Sequence, residues 1–169
     1  MRKIKTVNIA IGFVTGRLLF QNVLKTYINN WIEHGLIENN NVRIHVLVSY
    51  DLRYKNTNTN DYKNVPPALQ KLVDSIHFYG VNEVNREIEE LVKKDNTLDE
   101  KDCHLLFGEG YAKKRNIVTY FAIKLKMDKL LFIDDDEYPL ATYRNKQGNL
   151  LWLGQSILST HLKRIAHKV

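Results

Sequence analysis

With a single cysteine in 169 residues, Cys103, the chain has no means of forming an internal disulfide framework or a multi-cysteine metal site. The thiol therefore reads as free, which points to a reducing compartment, the cytoplasm by default. Three prolines and eight glycines are too few for a collagen-like or low-complexity chain. No apolar run reaches the roughly 18–20 residues that a membrane span needs. The best runs, 7–14, 42–48 and 130–133, have the length of strands. Arg2, Lys3 and Lys5 before the first run imitate a secretory signal, but Asn8 interrupts that run and Arg17 stands where a small-residue cleavage site belongs. The run is read as the first strand.

What the chain does have is bulk. Nine Tyr, six Phe and two Trp, within 44% hydrophobic residues, suffice for a core at this size, and the length suits one domain spanning residues 1–169. The formal net charge of +6 attracts anions without naming one, and leaves open a phosphorylated small molecule, nucleic acid or peripheral contact with an anionic membrane.

Along the chain, short apolar runs alternate with segments of helical period. After the run at 7–14, the positions Phe20, Val23, Leu24, Tyr27, Ile28, Trp31 and Ile32 mark an amphipathic helix ended by Gly35. A second strand is expected at 42–49, half exposed at its start, followed by a long polar loop over 51–64. A short helix opening at Pro66-Pro67, a strand at 76–79 and a charged helix at 84–94 follow. Beyond a polar connector at 96–102, Ile117, Val118, Phe121, Ala122 and Leu125 share a helical face that leads into a strand at 129–133. A weaker strand at 150–153 precedes a last helix whose inward face would carry Ile157, Leu158, His161, Leu162, Ile165 and Ala166. This order predicts an α/β fold, three-layer α/β/α with a mainly parallel, Rossmann-like sheet, in which ligands bind beyond the carboxyl ends of the strands.

Asp134, Asp135, Asp136 and Glu137 end the apolar strand at 129–133. Four adjacent carboxylates repel one another and call for a compensating cation. A hard divalent ion, Mg²⁺ or Mn²⁺, takes one or two carboxylates together with substrate phosphates and water, and Asp134 with Asp136 would supply such an open platform. Upstream, Gly108, Gly110, Lys113, Lys114, Arg115 and Asn116 surround a helix start, a combination of cations and free amides that favours an anion. Neither a P-loop nor a dinucleotide fingerprint is present.

Taken together, Gly-Tyr-Ala-Lys-Lys-Arg-Asn, an amphipathic helix, and Leu-Leu-Phe-Ile-Asp-Asp-Asp-Glu resemble the GT-A glycosyltransferases, in particular their family-two-like members, over residues 108–137. The resemblance implies a GT-A sheet, an Asp-x-Asp motif that binds the diphosphate of a nucleotide sugar through a divalent metal, and metal ligands at Asp134 and Asp136. It also implies donor contacts from Lys114, Arg115, Asn116, Asp134 and Asp135, and from Thr15 and Arg17 in the loop after the first strand. Asp51, after the second strand, takes the place of a base-reading acid, although the usual Asp-Gly-Ser signature is missing and a turn role is as good a reading. The acceptor would be a glycan, lipid or protein.

The family also carries an acceptor-binding half beyond the Asp-x-Asp strand, which has no counterpart in these 169 residues, so the expectation is a missing downstream region or a partner. No Asp or Glu follows Glu137, and His161 on an apolar stripe reads as a core residue, so the catalytic base is unassigned. Two other classes compete. A sugar nucleotidyltransferase would begin with a Gly-rich basic loop, of which residues 12–17 are a poor version. A non-catalytic nucleotide- or RNA-binding module would need exposed aromatics among its cations, whereas Phe20, Tyr27, Trp31 and Phe121 fall on inward positions.

Overall fold

A computed structural model describes residues 6–53 and 56–166. The first strand, β1 (Val7–Thr15), runs into α1 (Phe20–Glu33) and returns as β2 (Val42–Tyr50). Two short helices, α2 (Thr59–Lys63) and α3 (Pro67–Gln70), lead to β3 (Ser75–Tyr79). Then come α4 (Val81–Lys94), α5 (Glu100–Leu106) and α6 (Tyr111–Lys124) before β4 (Lys129–Asp134). A hairpin of β5 (Leu140–Arg144) and β6 (Leu150–Gly154) precedes α7 (Ile157–Ala166). The main sheet is parallel throughout, in the order β3-β2-β1-β4, and the antiparallel hairpin forms a second, two-stranded sheet.

Alternation along the strands divides the core in two. Ile9, Ile11 and Phe13 of β1, with Ile44, Val46, Val48 and Tyr50 of β2, pack on one face against Phe20, Leu24, Tyr27 and Trp31 of α1, and Leu158 of α7 joins them. Ala10 and Leu47 face the other way, against Val84 and Ile88 of α4 and Ile117, Val118 and Phe121 of α6. The chain moves one way along the sheet from β1 to β3 and the opposite way to reach β4. A constant right hand of crossover therefore puts α4, α5 and α6 on the face opposite α1, which yields the three layers. Because β1 is covered on both faces, it reads as a continuous apolar run, and each of Ile9, Ile11 and Phe13 contributes roughly 1.5–3 kcal/mol by burial.

Local chemistry sets the element ends. Gly35 (φ +66°) closes α1, its N–H donating to Ile32 O while Leu36 N–H donates to Trp31 O, as expected from its position. Asn58 and Asp61 cap α2 reciprocally, and Asp99 accepts from Asp102 N at the start of α5. On the outer layer, Glu87 of α4 accepts from Tyr120 Oη at 2.6 Å and from Lys124 Nζ, tying α4 to α6. Cys103 is a buried free thiol packed in that layer.

Three elements depart from the sequence reading. The polar loop at 51–64 contains α2, the connector at 96–102 leads into α5, and β5 follows Pro139 directly. His161 is exposed rather than inward, because α7 turns Leu158 to the core and leaves His161 on its outer side. The side chains of Ile165 and Ala166 lie outside the described residues.

Two predictions follow from the packing. A Cβ on Gly12 would stand 2.7 Å from Val118 Cγ1 and 3.1 Å from the Phe132 ring, and Val118 is fully buried. Gly12→Ala should therefore cost about 1–3 kcal/mol by forcing α6 off the sheet, read from the urea midpoint. Separately, His45 Nδ1 and His77 Nε2 both lie 2.8 Å from Ser75 Oγ. Burial holds both imidazoles below the ordinary 6.5. The unfolded chain then binds protons more readily, so stability is complete above pH 6.5 and falls as pH drops below it. Burial of Glu83 and Glu87 works against their ionisation, but their bonds to Lys63 and Lys124 outweigh it, so their loss begins only below 4.5. Urea midpoints between pH 7.5 and 5 should decline in wild type and decline less in His45→Gln/His77→Gln.

Candidate functional site

The sheet reverses its order at β1, with β2 on one side and β4 on the other, and the crevice beyond their carboxyl ends is where an open α/β sheet receives a ligand. Register places the groups. Val14 pairs with Asp134, so Thr15 falls beside Asp135, and on its other side Thr15 pairs with Tyr50, so Asp51 comes next. Opposite them, α6 begins at Gly110, whose φ of +94° brings the chain in sharply. No side chain caps this helix and no acid occupies its first turn, so its leading amides remain available for an anion.

A cavity of about 420 Å³ opens among these elements. Thr15, Arg17, Asp51, Lys114, Asp134, Asp135 and Asp136 all line it, together with Gly110 and Tyr111. Seven of the residues singled out in the sequence thus converge, drawn from β1, β2, α6 and β4. Arg17 bridges two of the acids, Nε donating to Asp135 at 3.0 Å and an Nη to Asp136 at 2.6 Å. Thr15 Oγ1 donates to Asp135 at 2.7 Å, and Tyr111 Oη donates to Asp134 at 2.8 Å. Asp51 lines the cavity and also accepts from Arg53 N–H at 3.0 Å, so its turn role is real.

Lys114 is the unusual member. Its side chain is 2% exposed, and its ammonium donates to Tyr50 O at 2.9 Å with no carboxylate in ion-pair range among the described residues. Burial depresses its pKa, partly offset by the fields of Asp51 and Glu109. A buried ammonium with one neutral partner and a face on a cavity is matched by an anionic ligand.

Arg115 and Asn116 do not line this cavity. Arg115 lies over the rings of Phe132 (4.4 Å) and Tyr111 (5.2 Å), and its Nε is buried without a hydrogen bond. Asn116 Nδ2 donates to Leu106 O at 3.0 Å, fastening α6 to α5. Successive helix residues turn by about 100°, so 114, 115 and 116 fan out toward β2, β4 and α5. Tyr111, which orients Asp134, was missed in the sequence, although it stands between Gly110 and the cations Lys113, Lys114 and Arg115 that were singled out there.

Carboxylates outnumber cations around the cavity: Asp51, Asp134, Asp135 and Asp136 against Arg17 and Lys114. Among the described residues no three His, Cys, Asp or Glu side chains converge as a cage for an ion. The chain offers a hard cation at most an open, partial carboxylate set, which fits an ion completed by ligand phosphates and water rather than one held by protein alone. No family model matches the sequence, and no curated protein matches it. Among the described residues no helix is long and apolar enough to cross a membrane.

Lys114 and Arg115 are separable by one pair of variants. Lys114→Met should keep or raise stability, since it removes a buried charge without a carboxylate partner, and should weaken inorganic diphosphate binding by an order of magnitude or more, on the scale of about 1.5–3 kcal/mol for a charged hydrogen bond. Arg115→Ala should lower stability by about 1 kcal/mol through lost ring contacts and leave diphosphate affinity unchanged. Calorimetric titration with urea denaturation of each variant checks both.

Proposed function

We propose that this domain binds a nucleotide-diphosphate sugar together with Mg²⁺ or Mn²⁺, as the donor-binding part of a glycosyltransferase. The supporting observation is the charge pattern of one cavity. A patch of carboxylates beside a buried lysine and an uncapped helix start suits neither a lone anion nor a lone cation, but suits a divalent ion and a diphosphate bound as a pair.

In this reading Lys114 and the first amides of α6 hold the phosphates, while Asp134 and Asp136 face the ion. Tyr111 fixes Asp134 through its hydroxyl. Thr15 and Arg17 hold Asp135 against the end of β1 and keep it from swinging into the cavity. Asp51 stands at the far rim, over the end of β2, where the nucleoside would lie. The metal, when bound, would neutralise charge developing on the departing diphosphate. Lys114 and the helix amides act in the same sense from the protein side, already oriented before the donor arrives.

The second reading is donor binding without transfer. No Asp or Glu side chain follows Glu137, and His161 is exposed on α7 and does not line the cavity, so among the described residues no acceptor-activating base is assigned. Calorimetry with UDP- and GDP-sugars, with and without Mn²⁺, tests the proposal. Nucleotide-sugar binding should require the metal, and Asp136→Ala should abolish that requirement along with most of the affinity. Equal affinity for wild type and Asp136→Ala in saturating Mn²⁺ would sink the metal assignment. Transfer to an added acceptor, against slow hydrolysis alone, separates the two readings.

A further inference from the structure

β4 is an edge strand with the composition of a central one. Among the described residues it pairs with β1 alone, over six residues in unbroken register. Alternate N–H and C=O groups along its outer side therefore have no sheet partner, and among the described residues no hydrogen bond beyond the β1 ladder reaches the backbone of residues 130–133. Leu130, Leu131, Phe132 and Ile133 fill the strand, and neither a proline nor a bulge blunts it. Natural edges of that kind are covered or paired.

The charges at its two ends differ in sign. Lys126 and Lys129, both exposed, outnumber Asp128 at the amino end, where the Asp128 carboxylate is taken up by Asn8, whereas Asp134, Asp135, Asp136 and Glu137 crowd the carboxyl end. A second β4 laid alongside in parallel would set like charges together. Laid antiparallel, it sets each lysine end against an acidic end, twice, by symmetry.

We infer that β4 pairs antiparallel with β4 of a second copy of this chain, joining two four-stranded sheets into one of eight strands. The two-fold axis must stand normal to the sheet, because only that operation reverses a strand while extending the sheet sideways. It preserves faces, so residues opposite one another have the same parity, and Lys129 lies opposite Ile133 or Asp135 of its partner. In either register its ammonium reaches the acidic end of the other strand, so each copy supplies a cation to the rim of the other's cavity. The inference does not depend on what that cavity binds.

Sedimentation velocity of the intact chain should show a species of twice the chain mass, weakened by added salt. Lys129→Glu should weaken it by on the order of tenfold or more, given two reversed contacts, with an unchanged circular dichroism spectrum. Carbodiimide, which joins amines only to carboxylates in contact with them, should link Lys129 to residues 134–137 across the dimer, as read by peptide mass spectrometry. A chain that stays monomeric at every concentration overturns the proposal. So does a dimer that is indifferent to Lys129→Glu and yields no such cross-link, which would place its interface on the exposed β5–β6 hairpin or elsewhere. A monomer that binds anionic vesicles would assign the apolar surface to lipid and overturn it equally.

Discussion

The close approach of α6 to β1 governs the geometry of the carboxyl end. It depends on two small residues, Ala10 and Gly12, on the face of β1 that meets Val118. Because the helix lies so near, Lys114 in its first turns reaches the carbonyl of Tyr50 at the end of β2. The same contact sets Phe132 against the helix and so fixes β4 in register with β1. Donors and acceptors from four elements meet at one cavity because a pair of missing side chains lets the layers close.

Electrostatics then determines how the aspartates of that cavity are held. Arg17 holds Asp135 and Asp136, and Tyr111 holds Asp134, so each acid of the cluster has a protein donor. These are contacts of unequal permanence. Asp135 is the more enclosed, its side chain 14% exposed, and carries two donors, whereas the Asp136 side chain is 56% exposed and carries one. Ion pairs at that exposure are worth little, so Arg17 is held less firmly to Asp136 than to Asp135. Asp134 and Asp136 are thus the more exposed pair, while Asp135 braces β1 against β4.

Much of the fold was legible because the parallel strands are buried on both sides and stand out as apolar runs, and because α1 and α6 repeat at helical spacing. The elements that escaped are short ones held by local hydrogen bonds. α2 rests on the reciprocal pair Asn58 and Asp61, and α5 on Asp99, and neither is long enough to display a period. β5 was hidden because it buries neither face, so no alternation marks it. In the site, residues at strand ends were readable, since register forces them together. Arg115 and Asn116 fall outside the cavity because composition marks a basic cluster but not the 100° step that sends each side chain to a different neighbour.

The edge strands β3 and β4 and the hairpin that follows them differ in how much of their surface is covered. β3 is five residues long and half-buried, with His77 and Tyr79 stacked along it and Phe121 of α6 against Tyr79, so its face, if not its edge, is protected. Past β4 the chain instead leaves Tyr138, Leu140, Tyr143, Leu150, Trp152 and Leu153 each more than two-fifths exposed. An isolated hairpin is at best marginally stable in water, and this one spends its aromatic and leucine side chains on solvent. Such residues lower the free energy only when covered, so the exposed side chains of the hairpin add little to the stability of the described fold. The acidic cluster stands at the end of β4, immediately before that exposed segment, so the rim of the cavity and the exposed hairpin are joined by only a few residues of chain.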